Sequence, residues 1–294
     1  MKFGGTSVAD AGQWQAIAAL VDVRRAQGKN LLIVCSALAG VTDRLLDLAA
    51  APSPEPDVLA DVIDAHTDLA KEMGIAGESW LQEGSELLDT ALAMPTGPPR
   101  TAAVLAMGEW FSSHLGAAFL NASGRQAAWV DARDALATVP EPQPDSARAW
   151  LGAYCASGVD PAITAAWARQ GRLLVTQGFV ARAPDGGTAL LGRSGSDTSA
   201  ALLGARLGAE HVEIWTDVAG IYTADPRVEP GAQLIPELGW EEALEMAASG
   251  ARVIHGRSIR AAAAAGIELW IRELANPAGA GTRITATAPA RGAR

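Results

Sequence analysis

Short runs rich in valine, isoleucine and leucine alternate along the chain with longer stretches of helical period, the sequence form of βα units around a mainly parallel sheet. Leu31 to Cys35, Ala127 to Asp131, Leu173 to Val180, Val212 to Thr216 and Ile267 to Ile271 are the predicted strands. Trp14, Ile17, Ala18 and Val21 fall on one helical face ahead of the first of them, which reads as core packing. A second helix is predicted from Thr101 to Asn121, after Pro98 and Pro99. The turn sequence from Ala183 to Gly187 predicts a hairpin whose glycines supply positive φ, so that one antiparallel ribbon joins the parallel sheet. Proline-rich stretches at 51–56 and 140–144 read as exposed connections, because each is short and the βα pattern resumes after it. The stretch 285–294 has no periodicity and reads as a flexible tail.

Composition narrows the function classes. With 294 residues, 49% of them hydrophobic and 19% charged, the chain has enough apolar side chain for one large core or two abutting lobes, and it is neither disordered nor collagen-like. A net charge of −10 leaves no electrostatic footprint for a nucleic-acid backbone. Cys35 and Cys155 form no disulfide framework and no zinc ribbon, which fits a reducing cytoplasm. The longest uncharged apolar stretch, Leu31 to Val41, is far short of the ~20 residues a membrane helix needs, so no membrane partner is expected. Positive charge is carried almost wholly by arginine, the only lysines being Lys2, Lys29 and Lys71. A lysine beside a glycine loop therefore stands out.

Three segments carry candidate chemistry. Lys2-Phe-Gly-Gly-Thr-Ser7 is expected to open directly into a helix, where adjacent glycines bring backbone N–H groups close to a phosphate, the helix N-terminus adds positive dipole and Lys2 adds a point charge. The same residues also suit a plain strand-to-helix turn. Leu191 to Ser199 again follows a strand and opens a helix, with Ser196 or Asp197 as N-cap. Trp215 to Arg227 places Thr216 and Asp217 at the carboxyl end of a strand, where open α/β sheets bind ligands, with Tyr222 and Arg227 suited to a nucleotide. Alternatively, Asp225-Pro-Arg227 is a surface turn with a solvated ion pair. His66, His114, His211 and His255 lack metal-ligand spacing, and no metal-ligating residues are assigned.

Taken in order, Lys2 to Val8, Ser36 to Asp43, Gly108-Glu109, Val130 to Arg133, Thr176 to Phe179, Leu191 to Ser199, Trp215 to Arg227 and Gly250 to His255 resemble the aspartokinases of the amino acid kinase family. The segments Gly108 to Gly124 and Trp129 to Asp134 resemble most the kinase half of bifunctional aspartokinase/diaminopimelate decarboxylase proteins. The resemblance implies a three-layer α/β sandwich with a mainly parallel central sheet and two lobes within 1–284, the earlier (about 1–190) binding the amino acid and the later (about 191–284) the nucleotide. It implies transfer of the γ-phosphoryl of ATP to the β-carboxylate of L-aspartate with Mg2+, on the route to lysine, threonine and methionine. A carboxylate acceptor is already ionised at neutral pH, so the chemistry needs charge neutralisation and no general base.

By the same resemblance, Lys2, Gly4 and Gly5 cradle the β/γ-phosphates, with Lys2, Arg193 and Asp197 as the catalytic set. Thr42, Glu109, Phe179, Arg193, Ser196 and Asp197 surround aspartate, Arg193 gripping a carboxylate and Glu109 pairing with the ammonium. Thr216, Asp217, Tyr222, Arg227 and Arg252 join the nucleotide contacts. A homo-oligomer is expected, with a fused or separate decarboxylase as a further partner, and no small-molecule-sensing ACT pair follows residue 283.

Departures from the family pattern bear on activity more than on fold. The first strand is short, Ser194 stands where glycine is usual, Arg252 where lysine is usual, Gly256 where proline is usual, and Glu273-Leu274 where Asn-Thr is common. Two alternatives follow: a sister kinase acting on glutamate or N-acetylglutamate, and a degenerate ATP-binding domain with a regulatory role.

Overall fold

The computed structural model describes residues 1–53, 55–75, 79–143, 146–249 and 253–287. In chain order its elements are β1 (Lys2–Phe3), α1 (Ala11–Ala26), β2 (Leu31–Cys35), α2 (Val41–Ala50), α3 (Pro56–Glu72), α4 (Ser79–Leu92), α5 (Pro98–Ala122), β3 (Ala128–Trp129), α6 (Ala132–Ala135), α7 (Ala147–Leu151), α8 (Pro161–Gln170) and β4 (Leu173–Gln177). There follow β5 (Val180–Arg182), β6 (Thr188–Leu190), α9 (Gly195–Leu207), β7 (His211–Thr216), β8 (Glu237–Gly239), α10 (Trp240–Ala248), α11 (Gly256–Ala265), β9 (Glu268–Glu273) and β10 (Thr282–Thr285).

Eight strands form one sheet in the order β3-β4-β2-β1-β7-β9-β10-β8. The first six run parallel, β10 is antiparallel to β9, and β8 runs parallel to β10. The all-apolar run of β2 and the fully buried β4 follow from burial on both faces, since a parallel strand covered on one face alone would alternate. Helix α5 lies against β2, β3 and β4, while α9 lies against β1, β2 and β7. The chain is thus an α/β sandwich of three layers, as expected.

Local chemistry explains the main elements. On α1 the stripe of Trp14, Ile17, Ala18 and Val21 is buried, and Gly116 of α5 makes room for the Trp14 ring: a Cβ there would lie 2.1 Å from it. Helix α5 starts earlier than the sequence pattern suggested, at Pro98, because prolines at the first helical positions need no N–H partner. Among the described residues no helix is long and apolar enough to cross a membrane.

Four expectations are corrected. The Ala183–Gly187 hairpin exists, but its strands β5 and β6 form a separate two-stranded sheet; the antiparallel strand of the main sheet is β10. The predicted strand from Leu173 to Val180 breaks after Gln177, where Phe179 turns to φ +68° and the Val180 amide donates back to Gly178 O. The Gly4-Gly5 segment enters a single 3-10 turn, Gly5–Val8, and α1 begins at Ala11 with the Asp10 carboxylate accepting from the Gln13 amide as its cap. Thr285 closes β10 and is buried, so the irregular stretch starts later than proposed; residues 288–294 of that tail lie outside the described residues.

Candidate active site

The carboxyl ends of the parallel strands deliver the chemistry to one edge of the sheet. Gly4 follows β1, the Ser36–Gly40 turn follows β2, Gly178 and Phe179 follow β4, and Asp217 follows β7. Strand β1 pairs on one side with β2, Lys2 opposite Val34, and on the other with β7, Lys2 opposite Ile214. It therefore sits where the strand order reverses, the crevice that open α/β sheets use for ligands.

The tightest contact is an ion pair between Lys2 Nζ and Asp197 Oδ1 at 2.5 Å, with both residues 8% exposed. Lys2 reaches it by curling over the glycine loop, so that a Cβ on Gly4 would lie 3.7 Å from Nζ. The Gly4 amide donates to Trp215 O, tying the loop to β7. Gly5 approaches the turn after β2 so closely that a Cβ would stand 2.8 Å from Ala37 O, which explains why only glycine fits there.

Asp197 belongs to the first turn of α9, whose N-terminus is built differently from expectation. The helix begins at Gly195 and its N-cap is Ser194, in the left-handed region at φ 51°, ψ 35°; neither Ser196 nor Asp197 caps it. Starting the helix earlier frees both side chains to face the sheet. Ser196 Oγ donates to Glu109 Oε1 at 3.3 Å, and Phe179 packs on Gly195, where a Cβ would clash with its ring at 2.3 Å.

Glu109, midway along α5, is 4% exposed, and its Oε2 has no hydrogen-bond partner. Burial pushes its carboxyl up to about 7, partly offset by the Ala37 amide, the Ser196 hydroxyl and the positive charge of Lys2. A buried acid with one free oxygen, beside a lysine–aspartate pair, is an unfilled acceptor for a cationic group.

The structure thus gathers Lys2, Gly4, Gly5, Glu109, Phe179, Ser196 and Asp197 into one cluster. Arg193 is exposed on the loop before α9 and makes no bond among the described residues. Thr42 lies half-buried in the first turn of α2, with no bond to the cluster. Thr216 Oγ1 donates to Asp217 Oδ1 at 3.0 Å at the end of β7. Tyr222 bridges to Leu234 across a small loop, and Arg227 is bound to Asp225 with its side chain 84% exposed, the arrangement of a solvated surface turn. Arg252 lies outside the described residues.

Some contacts around the site were not legible in the sequence. Ser112 donates to Ser36 O at 2.6 Å and so anchors the turn whose Ala37 amide faces Glu109; a serine inside a helix gives no sequence signal of that. The Val130–Arg133 stretch forms a polar knot beside β4, Gln177 donating to Asp131 at 2.7 Å and Arg133 pairing with the same carboxylate. A cavity of about 720 Å3 lies at the opposite edge, against the starting residues of β2 and β7; among its charges Arg24 pairs with Glu213 and Lys29 with Glu210.

A glycine loop, a buried lysine–aspartate pair and an unfilled buried acid thus meet at the switch point of a parallel sheet. The chain belongs to the amino acid kinase family, whose model matches residues 1–273. Among its relatives, lysine-sensitive aspartokinase 3 of Escherichia coli (strain K12) is 34% identical over 293 residues, 96% of this chain and 63% of that protein. An aspartokinase of Chlamydia pneumoniae is 34% identical, with 97% of this chain and 62% of the relative aligned. The crystal structure of E. coli aspartokinase III in complex with aspartate and ADP superposes with a TM-score of 0.80 at 32% identity, covering 98% of this chain and 64% of that one. The chain therefore spans a little under two thirds of the length of these relatives.

Proposed function

We propose that the protein is an aspartate kinase, transferring the γ-phosphoryl of ATP to the β-carboxylate of L-aspartate to give 4-phospho-L-aspartate. The observation that carries this reading is the buried cluster in which Lys2 and Asp197 lie beside Glu109 and Ser196, in a chain similar over nearly all its length to aspartokinases. The β2 side of β1, together with the loop before α9 and its first turn, holds the amino acid; the β7 side holds the nucleotide.

Aspartate places its ammonium against the free oxygen of Glu109 and a carboxylate against the Arg193 fork, with Phe179, Ser196 and Thr42 walling the pocket. A carboxylate oxygen of the substrate attacks the γ-phosphorus as the bond to the β,γ-bridging oxygen breaks, and ADP leaves with that electron pair; no proton need move. Lys2, aimed at the glycine loop, offsets the charge spreading over the phosphoryl oxygens, and fixed charge of this kind stabilises the transition state without reorganisation. Asp197 holds the lysine in place. Thr216, Asp217, Tyr222, Arg227 and Arg252 contact the nucleotide.

Among the described residues no group of three or more His, Cys, Asp or Glu side chains could cage a metal. A single nearby carboxylate, Asp197, suits magnesium that arrives on the nucleotide phosphates and takes one protein ligand. When bound, the ion neutralises phosphate charge. The reading further places the protein in the cytoplasm, on the diaminopimelate route to lysine, as a homo-oligomer related to the kinase half of aspartokinase/diaminopimelate decarboxylase proteins.

The test is ADP release with Mg-ATP across aspartate, glutamate, N-acetylglutamate and no amino acid. Release with aspartate alone is expected. Release with either glutamate compound instead assigns a sister kinase, and no release with any of them makes the domain a non-catalytic ATP binder.

A further inference from the structure

The loop from Leu191 to Ser194 carries the exposed Arg193 and the left-handed Ser194, yet its own turn gives it little support. Gly192 is at φ +76°, and next to Ser194 this makes two residues in the left-handed region within three positions. Apart from the bond of the Leu191 amide to Phe179 O, what holds the loop comes from α11. The Arg257 guanidinium donates through Nη1 to Leu191 O and through Nη2 to Ala153 O, while its plane lies 4.3 Å from the Tyr154 ring centroid. Those two carbonyls belong to adjacent segments, because the Ala153 amide donates to Leu190 O at 2.9 Å. One residue further along α11, Ser258 Oγ meets Thr198 Oγ1 at 3.2 Å, and that hydroxyl also contacts Ser194 O at 3.2 Å. The first turn of α11 thus grips the loop at both ends.

We infer that Arg257 is a positioning residue, its fork bridging the Leu191 and Ala153 carbonyls to hold Arg193 where it meets the acceptor substrate. The physical case is the fork itself: a planar guanidinium satisfies two carbonyls in fixed geometry and stacks on an aromatic ring, whereas an ammonium reaches one carbonyl as a point charge. Without it, two carbonyls lose their donor and the strained turn loses its brace. Neither Arg257 nor Tyr154 belongs to the Lys2–Asp197 cluster, so the effect falls on the loop rather than on phosphate.

The kinetic arm of the test rests on the aspartate kinase reading, and the proteolytic arm does not. Arg257→Ala is expected to raise the KM for aspartate about tenfold with the KM for ATP within about twofold, Arg257→Lys to give about a third of that rise, and Tyr154→Leu a smaller shift in the same direction. Trypsin cleavage after Arg193 should quicken in the same order, in protein of wild-type melting temperature; if the alanine variant does not fold, the lysine and Tyr154 variants carry the test. An unchanged aspartate KM, or aspartate and ATP KM values rising in parallel, overturns the inference. Should the wild type turn over no aspartate, the proposed function fails, and the cleavage rate alone decides: faster cleavage upholds the brace and unchanged cleavage overturns it.

Discussion

On one side of β1 Lys2, Asp197, Glu109 and Ser196, assigned to the amino acid and the phosphates, are buried and already paired; on the other, beyond β7, the residues assigned to the nucleoside are half-buried, as Thr216 and Tyr222 are, or exposed, as Asp217 and Arg227 are. Lys2 and Asp197 meet at 2.5 Å, with Ser196 on Glu109, whereas Arg227 lies in solvent on Asp225 and Tyr222 stands on a small surface loop. The difference teaches where the fold invests in preorganisation. Charge that must face a developing phosphoryl transition state is fixed beforehand in a low-dielectric site, while contacts that only hold the ligand can form as it arrives.

The sharpest break of that contrast is Lys2→Ala. Loss of the charge aimed at the phosphoryl group should lower kcat by about 10³ or more, and the Asp197 left buried and unpaired should cost about 3 kcal/mol of stability. Adding Asp197→Asn should restore much of the melting temperature without restoring turnover. If Lys2→Ala keeps near-wild-type kcat, the preorganised side does not perform the chemistry. Next in size, Arg193→Ala should raise the aspartate KM by about 30-fold with little change for ATP, since a charged hydrogen bond to a carboxylate is worth about 2 kcal/mol; movement of the ATP constant instead would put the nucleotide on this side of β1.

Glu109 gives the comparison a pH axis. Its folded value of about 7 lies above the ordinary glutamate value, so the folded state keeps a proton that the unfolded chain has lost. This group's contribution to stability is accordingly present at low pH, declines between about 4.5 and 7, and is flat above that. The substrate ammonium needs the ionised form, so the aspartate KM should be about tenfold higher at pH 6 than at pH 8, with a proton released on binding near neutrality. Glu109→Gln should bind aspartate weakly and lose this pH slope; a slope that persists in the variant excludes Glu109 as its source.

The exposed side should respond less. Arg227→Ala is expected to raise the ATP KM about threefold and leave melting temperature unchanged, because its ion pair with Asp225 is solvated and screened. The smallest effect belongs to Ser194→Gly, which relieves a Cβ in the left-handed region worth about 1 kcal/mol, offset in part by the freedom glycine gives the unfolded chain. A rise of about 2 °C in melting temperature by calorimetry is expected. A fall would mean that the Ser194 conformation costs nothing.

Much of this was legible in the chain because two periodicities and two glycine loops are local signals. Leu31 to Cys35 announced β2 to the residue, and the Trp14 stripe announced the buried face of α1. What the pattern could not show depends on contacts distant in sequence. Lys2–Phe3 is too short to register as a strand and exists because β2 and β7 flank it. The cap of α9 shifted to Ser194 because serine has no strong preference for the left-handed region and only its surroundings impose it. Phe179 broke a strand that its own composition favours for the same reason, its ring being seated on Gly195. Glu109 was readable as a candidate, but its burial and its free oxygen come from α9 and the turn after β2.

The two-residue β1 also sets an order of assembly. Its partner Val34 is made soon after it, but its partner Ile214 and the carboxylate of Asp197 lie roughly two hundred residues downstream. On the ribosome Lys2 must therefore wait for α9 and β7 to emerge before its charge is paired and its strand enclosed. Closing a loop of that length is what makes non-local pairing slow. Lys2 is thus among the later residues to find its place, and arrested nascent chains ending before residue 214 should leave the Gly4 amide, which donates to Trp215 O, open to hydrogen exchange.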